Sequence, residues 1–261
     1  MENRIRVFSF CATLRSPEQS FTARFSHLVC EKIRETAAEA GIRTEIEIRT
    51  GSDVRIDYCR GCENCFNTGN CSLDGQDGMA ALKRGMLDCD LLLFGSPVYT
   101  GSMSGLAKTI LDRLGCWTHR FELAGKPVAI LVTTSNNHGQ ETADELRFDF
   151  TTMGASVAWS GFAARHEGKP NIHLPEDMDP LTDRIARNLL EAYWDPVKFL
   201  CPEQEALFRH YRRENARTKA FCSLAGSDPS FETLAFYERG MDQYNSFAEY
   251  VTDKRRSSGG I

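Results

Sequence analysis

The chain has 261 residues, 41% of them hydrophobic and 26% charged, which is enough for one large globular domain or two small ones. A formal charge of −5 and a pI near 5.7 give no basic surplus for nucleic-acid binding. No apolar run approaches the roughly 18 residues that a membrane helix needs.

The N-terminus, MENRIRVFSFCATL, carries its arginines inside the apolar run, which reads as a strand rather than a signal peptide. The expected location is therefore cytoplasmic, where stable disulfides are rare. Arg4–Phe10 is the first predicted strand, followed by the polar turn ATLRSPEQS. A helix is predicted from about Phe21 to Ala40, stopping at Gly41. Arg43–Arg49 alternates polar and β-branched residues, as a strand with one wet face does. A cysteine-rich loop follows, then a helix of roughly Asp77 to Leu87. Asp90–Phe94 is continuously apolar and reads as a strand buried on both faces. After the loop Gly95–Gly101 come a helix over Met103–Leu114 and a second buried strand, Pro127–Thr133. Gln140–Met153 is predicted helical, Ala155–Phe162 a fifth strand and Leu181–Tyr193 a further helix.

Strands alternating with helices call for one doubly wound α/β domain, placed at residues 1–195 with a cysteine-rich insert at 57–78. Beyond Trp194 the strand signal ends. Residues 202–252 read as two helices separated by SLAGSDPS, so 196–261 form a helical extension with a disordered tail, KRRSSGGI. There are no internal repeats.

In an open parallel sheet, ligands sit at the carboxyl ends of the strands, where strand order reverses. Three predicted loops reach that edge. The first supplies Thr13, Arg15, Ser20 and Thr22 at the start of a helix, an anion cradle favoured by the helix dipole. The plainer alternative makes Ser20 a simple N-cap. The second, GSPVYTGSMSGLAKTILDRL, brings backbone amides and one aromatic face to the edge. The plainer alternative is a capping loop, with Asp112–Arg113 a surface pair. The third, TTSNNHGQET, is again small and polar, and its His138 either faces solvent or touches the ligand. Together they suit a phosphorylated, flat, partly apolar ligand.

The stretch CRGCENCFNTGNC places Cys59, Cys62, Cys65 and Cys71 in a C-x2-C-x2-C-x5-C pattern. Such packed runs wrap three corners of a [4Fe–4S] cluster, whereas structural zinc usually pairs two arms across a longer span. Free thiols in a substrate-lid loop, a zinc site and a redox disulfide remain open. The other cysteines (11, 30, 89, 116, 201 and 222) are scattered singly, as small buried hydrophobes.

GSPVYTGSMSGLAKTILDR resembles the signature loop of the NAD(P)H-dependent FMN reductases with a flavodoxin-like fold, which wraps the isoalloxazine ring. The first loop resembles that family's phosphate loop, with Ala12 where glycine is usual and Pro17-Glu18 lengthening it. CRGCENCFNTGNC followed by DGQDGM resembles the insert of a subset that includes the iron–sulfur flavoproteins. The resemblance covers roughly residues 4–165. It implies a five-stranded parallel sheet of order 2-1-3-4-5. It places FMN phosphate on Thr13, Arg15, Ser20 and Thr22, and the ring on Pro97, Val98, Tyr99, Gly101 and Met103, with Ser135 and Gly139 opposite. It further implies NAD(P)H as electron donor, no obligatory catalytic side chain, and a possible [4Fe-4S] cluster on Cys59, Cys62, Cys65 and Cys71. The expected partners are a small-molecule electron acceptor or a redox protein, and a second copy of the chain in a homodimer or homotetramer. A non-turnover electron carrier, or a relative that has lost FMN and serves as an assembly subunit, would keep the same loops.

Overall fold

The computed structural model describes residues 4–135, 137–164 and 175–257. Its sheet is built from β1 (Arg4–Cys11), β2 (Arg43–Thr50), β3 (Leu91–Tyr99), β4 (Ser102–Met103), β5 (Pro127–Thr134) and β6 (Ser156–Ala164). The five long strands are parallel in the order β2-β1-β3-β5-β6, which is the expected 2-1-3-4-5 when long strands alone are counted. β4 is a short antiparallel addition to β3. The helices are α1 (Phe21–Glu39), α2 (Asn64–Thr68), α3 (Met79–Asp88), α4 (Gly105–Arg113), α5 (Cys116–Arg120), α6 (Gly139–Thr152), α7 (Pro175–Trp194), α8 (Pro202–Ala225), α9 (Phe231–Glu238) and α10 (Phe247–Ser257).

The pleat divides the core in two. Along a strand, successive side chains point to opposite faces. Phe8 and Phe10, Leu92 and Phe94, and Val128, Ile130 and Val132 join the layer under α3, α4 and α6. Ile5 and Val7, Leu91 and Leu93, and Ala129 and Leu131 join the layer under α1 and α7. α1 supplies that layer with Phe25, Val29, Ile33 and Ala37, one face at helical spacing.

Several predicted boundaries shift, and α7 starts six residues before the predicted Leu181, at Pro175. β3 runs past Phe94 to Tyr99, because Gly95, Ser96 and Pro97 stay in register with Leu131, Val132 and Thr133. The second helix of the extension is two helices, interrupted at Gly240 (φ +65°) and the short turn 241–243. Of the tail expected to be disordered, Lys254–Ser257 form the end of α10, and the remainder lies outside the described residues.

The extension builds a third core. Phe208, Phe236, Phe247, Tyr250 and Val251 close around Phe121 and Ala124 of the sheet region. Buried Gln204 locks the start of α8, donating to the carbonyls of Thr151 (3.1 Å) and Ala155 (2.9 Å). Most of the aromatics of the extension are thus spent on packing, although Phe221 stays exposed.

Arg113 is not a surface residue. Its guanidinium is fully buried and donates to Asp77 Oδ2 (2.7 Å), Asp74 Oδ1 (3.0 Å) and the Asp57 carbonyl (2.9 Å). Asp77 also accepts from the N–H groups of Asp57 (2.9 Å) and Met79 (3.0 Å). The expected surface pair with Asp112 is replaced because α4 turns residue 113 inward, under the cysteine insert. Asp112 pairs instead with Lys108 one turn away.

Removing one partner of a buried ion pair strands the other charge. Urea unfolding of Arg113→Met should therefore report a loss of roughly 3–5 kcal/mol. Burial opposes ionisation of Asp77, but the bond from Arg113 and the two N–H groups outweigh it and hold its pKa below the ordinary 3.8. With the native pKa depressed, this contribution is whole above the unfolded value and is lost as pH falls below it. Below about pH 4 the natural protein should accordingly lose stability more steeply than an Asp77→Asn variant.

Candidate functional site

Strand order reverses between β1 and β3, because the chain leaves β1 for β2 on one side and returns to β3 on the other. The crevice outside those strand ends is where such sheets hold ligands. A cleft of about 580 Å³ occupies that position. Thr13, Arg15, Gln19, Ser20, Phe21 and Thr22 come from the loop after β1 and the start of α1. Pro97, Val98 and Tyr99 come from the end of β3, and Thr133, Thr134 and Ser135 from the end of β5.

The cleft floor is preorganised by hydroxyls. Ser20 caps α1 by accepting from the Ala23 N–H (3.2 Å), which leaves the first amides of the helix, at Phe21 and Thr22, to the cleft. Thr22 and Thr133 share a hydrogen bond of 2.6 Å across the floor. Ser104 ties two ligand loops together: its hydroxyl donates to the Ala12 carbonyl (2.7 Å), and its N–H donates to Ser96 Oγ (3.0 Å). It also caps α4 by accepting from Ala107 N–H (3.1 Å). Beneath the first loop, burial pushes the Cys11 thiol up to about 12, so it stays neutral.

Eight of the predicted ligand residues line this cleft: Thr13, Arg15, Ser20, Thr22, Pro97, Val98, Tyr99 and Ser135. Three do not. Gly101 forms the two-residue hairpin turn with Thr100, both at positive φ, as a type I′ turn requires. That turn folds Met103 back beside Val98 and into the core, where it is 6% exposed. Gly139 starts α6 against the Phe162 ring. His138 is half-exposed in a left-handed conformation and lies beside Gly101, outside the lining. Sequence reasoning passed over Gln19, Phe21, Thr133 and Thr134, although the TT of the third loop was the available signal.

The cysteine insert is closed at its base by Asp77, which binds the Asp57 N–H, and by the Gly78 N–H on the Arg55 carbonyl (2.9 Å). Within it, α2 is one short turn entered through Glu63 at φ +56°. Cys59 and Cys62 are exposed, Cys65 and Cys71 half-buried, and all four are free. The Ser72 hydroxyl, 3.5 Å away, and the Asn64 N–H hold the Cys62 thiol below its ordinary range. Among the described residues no three His, Cys, Asp or Glu side chains are gathered as a metal site. The donor chemistry nevertheless fits a thiolate-bound group. Arg120 donates to Cys116 Sγ (3.5 Å) at the edge of the insert. The buried Arg113 Nε has no hydrogen-bond partner, whereas Arg120 Nε lies 3.3 Å from Glu122 Oε2. α9 covers the insert: a Cβ on Gly69 would fall 2.3 Å from the Phe231 ring, and Glu232 meets His119 Nδ1 at 2.6 Å.

A profile of the NADPH-dependent FMN reductase family matches residues 5–169. The chain belongs to that family. An iron–sulfur flavoprotein of Methanocaldococcus jannaschii is 33% identical over 168 residues, covering 62% of this chain and 85% of its own length. One from Clostridioides difficile is 27% identical, covering 51% of this chain and 55% of its own. Among solved structures, RosB with bound 8-demethyl-8-formylriboflavin-5′-phosphate matches with a TM-score of 0.53 at 16% identity, over 72% of this chain and 79% of that one. An oxidoreductase from Corynebacterium diphtheriae matches at 0.51 and 20% identity, over 74% and 96%. At these identities the structural likeness speaks for the fold alone. The family match ends where the sheet does, so α8, α9 and α10 lie outside it. Among the described residues, no helix of this FMN reductase-family chain is long and apolar enough to cross a membrane.

Ser104→Ala removes both an N-cap and the tie between two ligand loops. It should cost about 0.5–2 kcal/mol by denaturant titration. Faster amide exchange over residues 12–16 in the same variant would locate the loss at the cleft.

Proposed function

We propose that the chain is an FMN-dependent NAD(P)H oxidoreductase. One observation carries this: the cleft at the strand-order reversal joins a helix start rich in hydroxyls and amides to an aromatic-bearing wall. Those two halves match the two halves of a flavin mononucleotide. The Phe21 and Thr22 amides, the hydroxyls of Thr13, Ser20 and Thr22, and the Arg15 guanidinium would hold the phosphate. Pro97, Val98 and Tyr99 would face one side of the ring, and Thr134 and Ser135 its edge. When bound, the flavin supplies the two-electron chemistry between a nicotinamide and an acceptor, and the protein orients it and excludes competing reactions. No side chain of the lining needs to move a proton in that step.

The four-cysteine insert extends the proposal to a [4Fe-4S] cluster on Cys59, Cys62, Cys65 and Cys71. The support is the set of four free thiols and the names of the relatives. Electrons would then leave singly to a small acceptor or a redox protein. A homo-oligomer belongs to the same reading, supported by exposed Leu14, Tyr99 and Phe162 around the ligand edge. Sedimentation at micromolar concentration tests it, and a monomer would remove it.

Purified protein should bind about one FMN per chain, read from quenching of flavin fluorescence on titration. Tyr99→Ala should weaken that binding by about 0.5–1.5 kcal/mol; unchanged affinity would take Tyr99 out of the ring wall. Steady-state NAD(P)H oxidation with a quinone or ferricyanide as acceptor separates a reductase from a carrier without turnover. After anaerobic purification, iron near four atoms per chain is expected. Iron well below one atom after attempted reconstitution would assign the thiols to the mouth of the cleft instead.

A further inference from the structure

A second cleft, of about 920 Å³, opens at the other end of the sheet, where the strands begin. It lies between the sheet region and the extension. Arg6 comes from β1 and Lys126 from the turn before β5, while Lys254 and Arg255 come from α10. Two carboxylates, Asp88 and Asp90, share the wall, so its side chains carry an excess of two positive charges.

Three of the cations, Lys126, Arg255 and Arg6, have fixed neighbours. Lys126 Nζ donates to the carbonyls of Leu87 (2.8 Å) and Cys89. Arg255 stacks on Tyr193, with 4.3 Å from its guanidinium carbon to the ring centre. Stacking uses the guanidinium face and leaves its N–H edge to oxygen acceptors. Asp90 is engaged by the Arg6 N–H (2.7 Å), with Arg6 Nε at 3.6 Å. Behind the wall, Glu122 accepts two bonds from Arg239 (2.7 Å each) and pairs with Arg120 Nε at 3.3 Å. α10 sits tightly here, since a Cβ on Gly125 would fall 2.7 Å from Val251.

We propose that this cleft binds a small phosphate-bearing dianion, either inorganic phosphate or the phosphate of a mononucleotide, across the junction of sheet and extension. Two guanidinium forks and two ammonium groups around one cavity suit a tetrahedral group with several acceptor oxygens. Like charges gathered around one cavity repel one another, and an anion between them offsets that repulsion. The state of Lys254 agrees with this. Burial, and then the charges of Arg239 and Lys126, bring its pKa down to about 8, against the opposing pull of Glu122. A ligand touching both Lys126 and Lys254 would also clamp α10 onto the sheet, at a site remote from the first cleft.

The test is calorimetric titration of the full-length, FMN-loaded protein with inorganic phosphate and with adenosine 5′-monophosphate, at ionic strength fixed with chloride. One saturable site with a Kd of about 1 mM or tighter is expected. Tighter binding of the nucleotide identifies a nucleotide site, and equal binding a phosphate site. Lys254→Met should weaken binding tenfold or more, and Arg255→Ala likewise, with FMN affinity unchanged in both. Titrations in two buffers of different ionisation heat should show proton uptake on binding near pH 8.5, where both probes are already dianions, as the anion restores the Lys254 charge. Lys126, whose pKa burial also lowers, would add to the same uptake, whereas burial lifts the Cys89 thiol to about 11. Absence of saturation with either probe overturns the proposal. So does unchanged affinity in both variants.

Discussion

The buried bond between Arg113 and Asp77 is the constraint on which the functional half of the molecule rests. α4 begins at Ser104, whose hydroxyl fixes the first ligand loop, and ends at Arg113, whose guanidinium holds the base of the cysteine insert. A helix of nine residues rises about 13 Å. The cleft and the insert are therefore stationed at the two ends of one rigid rod. Neither position is set by loop packing alone. A loop of this length, with few buried residues of its own, would otherwise have little to hold its cysteines in a common orientation.

That bond also explains why burying two full charges is tolerated here. Asp77 collects donors from the Arg113 guanidinium and from the backbone N–H groups of Asp57 and Met79, so its lone pairs are well used. Arg113 in return satisfies a backbone carbonyl that the insert would otherwise bury unpaired. The residual orphan, Arg113 Nε, lies on the side of the structure where thiols are concentrated.

The sheet was legible because both of its signals are strong. Continuous apolar runs at Asp90–Phe94 and Pro127–Thr133 can only be strands covered on both faces, and Gly41 and Ser20 mark the limits of α1. The ligand loops were legible for a related reason: strand ends in such a sheet must converge, so every polar loop on that edge is a candidate. What the sequence hid was set by tertiary contacts. Met103 carries no mark that a two-residue turn will fold it inward, away from the ring wall to which the resemblance assigned it. Arg113 beside Asp112 reads as a surface pair until Asp74 and Asp77, more than thirty positions away, are brought over it. The break at Gly240 was invisible for the opposite reason, since the aromatic pattern continues through it.

The extension gives the fold a division of labour between its two ends. At the insert its contribution is covering: the Phe231 ring needs a residue without a side chain at Gly69, and Glu232 reaches His119. At the start of the strands its contribution is charge, through Lys254 and Arg255. The same aromatic core, centred on Phe208 and Phe247, supports both. Since α9 and α10 pack on that one core, displacement of α10 at the basic cleft would be felt by α9 over the cysteines. A helical addition that matches no part of the family profile is thus physically joined to the part of the sheet region where the thiols lie. It is this connection, rather than the sheet itself, that distinguishes the architecture of this chain from a bare flavodoxin-like reductase.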